Sequence, residues 1–228
     1  SLLPKSLKTL SVRKVSLSES IVMALPRSLT ELATLGFQPL QSASALSVLP
    51  PRLTQLDLVS IEEVLSLREI PGESSSWLPR TVTYLSLGEV RISSPGWFAG
   101  LPRALQSLHI RMAPLRVEDG ADLSRACPHL NTFVCVLCYD ALNAETDAAV
   151  SAALRHLPPE LTWLAINHFQ TGRFTITSDD LAHLPSTVRY ASLSTDAANF
   201  PEDCRHLLPA NMHTLQLGGQ APDWFHKY

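Results

Sequence analysis

The sequence has no apolar run approaching the roughly 18 residues of a membrane-crossing helix, so it predicts no transmembrane segment. It has no basic excess either. Eighteen Lys and Arg stand against 21 Asp and Glu, giving a net charge of −3 and a pI near 6.2, so phosphate backbones meet no general attraction and nucleic acid is not an expected partner. There is no N-x-S/T sequon, and the 4 cysteines fit a reducing interior, with the cytoplasm as the expected location. No Gly-rich phosphate loop, nucleophile elbow or paired metal-carboxylate motif is present, so neither catalysis nor a cofactor is expected. The chain opens Ser1-Leu2-Leu3-Pro4 with no Met and no signal peptide, inside a repeat motif. That start reads as a fragment of a larger protein, with further repeats or domains beyond it.

What the sequence does have is a repeat. A phrase close to Leu-Pro-x-x-Leu-x-x-Leu-x-Leu recurs nine times, with Pro at 4, 26, 50, 79, 102, 128, 158, 185 and 209. LPKSLKTLSV, LPPRLTQLDL, LPRALQSLHI and LPPELTWLAI are examples. Strand side chains point to opposite faces with period two, so the alternating tail of each phrase is a short strand with one buried face. Proline lacks a donor N–H and belongs at the entry to a strand rather than inside its ladder. Successive strands must then stack in parallel.

The segments between phrases return across the other side and are of unequal length. Residues 140–157 carry helix signals, with Thr146 or Asp147 as cap. Ser178 followed by DDLAHL, and Pro201-Glu202-Asp203 followed by CRHLL, predict one or two helical turns, whereas 91–100 (RISSPGWFAG) predicts a loop. Six early cations, Lys5, Lys8, Arg13, Lys14, Arg27 and Arg52, read along the chain as scattered solvated surface.

The pattern resembles the leucine-rich-repeat superfamily, whose unit is L-x-x-L-x-L-x-x-N/C, over nearly the whole chain. Leu130-x-x-Phe133-x-Cys135-x-x-Cys138, after Cys127-Pro128-His129, is similar to the cysteine-containing repeats of ubiquitin-ligase substrate receptors. The recurrent Leu-Pro also looks like FNIP-type repeats and the repeats of bacterial effector ligases. The usual Asn ladder is missing: its position holds Val15, Phe37, Ile61, Val90, Ala113, Cys138, Phe169, Asp196 and Gln220. Apolar residues there cannot bond the turn backbone, so packing must stabilise the bend.

Cys127, His129, Cys135 and Cys138 lie within twelve residues and include the donor types of a zinc site. The repeat register already explains Cys135 and Cys138 as inward-facing apolar groups, so no metal is expected. Cys204 and His206, two apart in a helical segment, do not share a face and do not form a reactive couple.

With the Leu residues inward, the intervening residues form three rows on the concave face. The first holds Thr9, Glu31, Gln55, Tyr84, Ser107, Thr132, Trp163, Tyr190 and Thr214. The second holds Ser11, Ala33, Asp57, Ser86, His109, Val134, Ala165, Ser192 and Gln216. The third holds Arg13, Leu35, Val59, Gly88, Arg111, Val136, Asn167, Ser194 and Gly218. Three large aromatics stand on a surface where the core does not require them. Either they cover neighbouring strands, or they are anchors for a partner, with Leu35, Val59, Val134 and Val136 adding apolar area.

These readings give an α/β leucine-rich-repeat solenoid over residues 1–228, about nine repeats with a parallel concave sheet and mixed helix and loop on the convex side. The expected function is a non-catalytic module binding a protein partner on its concave face through Tyr84, Trp163, Tyr190, His109 and Arg111. The alternative is the substrate-recognition domain of a ubiquitin ligase or of its receptor subunit.

Overall fold

The computed structural model describes residues 3–13, 18–35, 44–59, 65–67, 77–92, 96–113, 115–137, 144–168, 174–195 and 202–218. Each leucine phrase becomes one strand: β1 (Thr9–Arg13), β2 (Glu31–Leu35), β3 (Gln55–Val59), β5 (Tyr84–Ile92), β6 (Ser107–Ala113), β7 (Thr132–Leu137), β8 (Trp163–His168), β9 (Tyr190–Leu193) and β10 (Thr214–Leu217). All nine pair in parallel, in chain order, in one open sheet. A short additional strand, β4 (Leu65–Leu67), pairs with the far end of β5.

The register sets like motif positions opposite each other: Leu56 faces Leu85, Leu85 faces Leu108, and Phe133 faces Leu164. Leu56, Leu85, Leu108 and Leu164 are all fully buried. The equivalent Leu10 and Leu215 are half-buried, because β1 and β10 each have a neighbouring strand on one side only.

The Leu-Pro entry is a tight turn in which the Pro carbonyl accepts from the N–H three residues on, as in Leu7 to Pro4 (3.1 Å) and Leu53 to Pro50 (3.0 Å). Two consecutive N–H groups then share one carbonyl of the preceding repeat; Thr54 and Gln55 both donate to Thr30 O. Threonine hydroxyls reinforce the same seam, with Thr30 donating to Lys8 O, Thr54 to Thr30 O, Thr83 to Thr54 O and Thr162 to Asn131 O. Side-chain hydrogen bonding between repeats is thus supplied at strand entry. Most of the Asn-equivalent positions lie outside the described residues; Val90 and Ala113 are still strand.

Among the described residues the return segments are α1 (Glu19–Met23), α2 (Ser44–Ser47), α3 (Asp119–Ala126), α4 (Ala144–Arg155) and α5 (Ser178–Ala182), with 3-10 segments at Phe98–Gly100 and Glu202–Leu207. Several differ from the sequence reading. α4 begins at Ala144, which puts Thr146 and Asp147 inside it, and Asp147 accepts from Thr175 N instead of capping. α5 is capped by Thr177, whose side chain accepts from Asp180 N while Asp180 accepts from Thr177 N. Residues 91 and 92 extend β5. The aromatic residues beyond them fill the core where a helix would otherwise pack, with Trp97 5.6 Å from Trp77 and 4.6 Å from Phe98, all at 1% exposure.

Two substitutions test this packing. Leu108→Ala or Leu164→Ala should each lower unfolding free energy by about 2–5 kcal/mol, visible as a lower melting temperature; an unchanged melt would contradict the register. Gly120 of α3 sits where an added Cβ would fall 2.6 Å from Ala153 Cα in α4. Gly120→Ala should therefore force the helices apart and destabilise the fold by roughly 1–3 kcal/mol, despite alanine's better helix propensity.

Candidate functional site

The first concave row is continuous across the sheet. Thr9, Glu31, Gln55, Tyr84, Ser107, Thr132, Trp163, Tyr190 and Thr214 are consecutive register partners. Trp163 and Tyr190 are therefore side by side, and their rings stack with centroids 4.0 Å apart and planes inclined by 20°. The Tyr190 hydroxyl donates to Gln216 Oε1 (3.0 Å). Gln216 belongs to the second row of the next strand, so the phenol runs diagonally toward that row. Both rings remain half-buried.

Tyr84 stands apart, and its ring packs against His109 in the second row of the neighbouring strand at 5.3 Å and 52°. Burial pushes the His109 imidazole down to about 4, so at neutral pH it is uncharged. Arg111 is half-buried in the third row. Its register partner is Glu89 and not Gly88, because β5 carries a bulge between Leu87 and Glu89. One extra residue there displaces Gly88 from the row the sequence assigns it.

The middle of the face is closed more tightly than alternation alone implies. Val134, Val136, Ala165, Asn167 and Ser192 all have 0% exposure. Val134 and Val136 therefore add no exposed apolar area. The side chains of Leu35 and Val59 lie outside the described residues. Asn167 Oδ1 faces the hydroxyls of Ser192 (3.2 Å) and Ser194 (3.4 Å). Among the described residues its buried Nδ2 has no hydrogen-bond partner, nor has the buried Nε1 of Trp163 on the same strand face. Sequence alternation places both residues on this face but cannot show that their donors are unused.

The cysteine and histidine cluster is split. Cys127 is buried with its Sγ directed at Pro102 O (3.6 Å), and burial pushes its thiol up to about 12. Cys135 is buried in the core, His129 is exposed with Nδ1 3.2 Å from Glu160 Oε1, and Cys138 lies outside the described residues. Among the described residues, no three His, Cys, Asp or Glu side chains gather as metal ligands would. Cys204 is buried and His206 exposed. Two acids stand out on the convex side. Burial pushes Asp119 up to about 6, against the bond it accepts from Arg116 N. Burial also acts to raise Asp180, but bonds from Ser151 and Thr177 and the Arg155 guanidinium hold it below the usual range. Asp180 thereby ties α5 to α4.

His109 gives a pH test. Its folded value lies below the ordinary 6.5, so the unfolded chain gains a proton before the folded chain does. Its contribution to stability is full above about 6.5 and is lost as pH falls through about 4. An NMR titration should give a His109 midpoint near 4, and His109→Gln should flatten the stability loss over this range. A midpoint near 6.5 would show the ring open to water.

No protein-family model matches the sequence, and no curated protein matches it. Among solved structures, the chain is similar to the leucine-rich repeat-containing protein LegL7 from Legionella pneumophila, with a TM-score of 0.52 and 16% identity over 95% of this chain and 76% of that one. No helix among the described residues is long and apolar enough to cross a membrane. With nine register-matched parallel strands, convex return segments and this structural likeness, the chain folds as a leucine-rich-repeat solenoid.

Proposed function

We propose that this chain is a non-catalytic interaction module that binds a protein partner on its concave face. The observation that carries the reading is the Trp163–Tyr190 stack, which keeps two large rings half-exposed on a surface whose remaining residues are mostly small. Paired aromatics of this kind bury much area on contact at little cost in side-chain freedom. Tyr84 with His109, and Arg111 beyond them, form a second contact three strands away.

A binding role also fits the displaced titrations. Burial shifts His109, Cys127 and Asp119 toward their uncharged forms. A protonated thiol at about 12 is the opposite of an activated nucleophile. The buried thiols Cys127, Cys135 and Cys204, outside any disulfide, suit a reducing compartment such as the cytoplasm. In this reading residues 1–228 act as one domain of about nine repeats.

The test begins with affinity capture of a partner by the tagged chain, followed by titration of the purified pair. Trp163→Ala and Tyr190→Ala should each weaken binding by about 2 kcal/mol, roughly thirtyfold, with an unchanged circular dichroism spectrum. Wild-type affinity in both variants would contradict the proposal.

A further inference from the structure

The entry turns carry a second surface that the repeat period reveals and linear reading hides. Lys5, Arg27, Arg80 and Arg103 each follow the Pro of their phrase, and Arg52 follows Pro51 in the third. In all five repeats the turn is closed by the same bond from the residue-four N–H to the Pro carbonyl, at 3.0–3.1 Å. The five cations therefore stand on adjacent turns along one edge of the sheet. All five are exposed, and among the described residues none is in an ion pair. At a strand spacing of about 4.8 Å the row is roughly 20 Å long, the span of about six residues of extended chain.

The row is fixed in place. Ser28 Oγ reaches both Lys5 O and Leu7 O (2.7 Å each), and Thr81 Oγ1 reaches Pro51 O (3.0 Å) and Leu53 O (2.7 Å), which locks successive turns together. It also has an end: the sixth turn presents His129, which faces Glu160 of the seventh. Beside the row lies a groove of about 350 Å³ between α1 and α2, lined by Leu25, Leu49, Val48, Pro50 and Pro51 with Arg27 at its rim. Met23, at its mouth, is 68% exposed, and Val48 is 39% exposed.

We infer that this edge is a docking site for an extended acidic peptide segment of a partner, with an apolar side chain anchored in the groove and carboxylates on the arginine row. Charge complementarity selects the acidic chemistry, since a chain of net charge −3 concentrates five unpaired cations here. The groove selects a peptide. Its volume accepts one bulky side chain, and Leu25, Val48, Leu49, Pro50 and Pro51 supply apolar contacts that a phosphate backbone does not use. Single-stranded nucleic acid would need exposed aromatic rings for base stacking, and the five turns carry none. Leu25, Leu49 and Pro50 line a recess that receives an inserted side chain, with Met23 and Val48 exposed at its mouth.

The experiment is fluorescence anisotropy of the intact chain with a fluorescein-labelled polyglutamate peptide bearing one central Phe. The same peptide with Gln for Glu, oligothymidylate and phosphatidylserine vesicles serve as comparisons. The inference predicts saturable binding of the acidic peptide that weakens as salt rises from about 0.1 M to about 1 M, where screening shortens from roughly 10 Å to roughly 3 Å. Arg27→Glu and, on a separate repeat, Arg80→Glu should each weaken it about tenfold, and Val48→Asp should weaken it through the groove. Trp163→Ala should leave it unchanged, which separates this site from the concave one. Failure of the peptide to bind, or affinity indifferent to both charge reversals, would overturn the inference. So would tighter binding of oligothymidylate or vesicles through the same arginines, which would reassign the edge to a polyphosphate or a membrane.

Discussion

The structure depends on parallel pairing in strict motif register. Each phrase meets the next at the same motif position, from Leu32 opposite Leu56 through Leu85 opposite Leu108 to Phe133 opposite Leu164 and Leu164 opposite Ala191. A slip of one residue would turn every buried side chain to the open face. The cost of such a slip, summed over buried leucines worth about 1.5–3 kcal/mol each, is what fixes the concave rows. The Trp163–Tyr190 stack and the edge cations are consequences of that register, since each needs like positions in successive repeats to be neighbours.

Hydrogen bonds at strand entry keep the register without the Asn ladder. The turn closed on Pro in eight repeats and on Cys127 in the sixth, the shared carbonyl and the hydroxyls of Thr30, Thr54, Thr83 and Thr162 act at one end of the strands. The shared carbonyl and the hydroxyls reach the backbone of the preceding repeat, so they couple repeats rather than stabilise one internally, as expected of a solenoid in which each unit contacts only its neighbours.

The fold was legible because its signal is periodic: Leu spacing gave strand identity, orientation and the partners of Trp163 and Tyr190. Less was legible where geometry breaks the period. The bulge at Gly88, which sets Glu89 opposite Arg111, inserts a residue that no spacing announces. The burial of Val134 and Val136 depends on how far neighbouring side chains lean, which alternation does not encode. α3 carries Gly120, a poor helix former, in its first turn because close approach to Ala153 needs it, and that requirement is set by packing and not by local sequence. Lys5, Arg27 and Arg52 looked scattered because they were read along the chain, whereas their separation is the repeat length.

The central claim is that the register divides the large aromatics between an open face and a sealed core. Hydroxyl-radical footprinting read out by mass spectrometry tests it on the free protein. Trp163 and Tyr190 should be oxidised readily, while Trp77 and Trp97, at 1% exposure, should be protected until the chain unfolds. Equal oxidation of Trp77 and Trp163 in the native protein would contradict the register and, with it, the concave surface built on it.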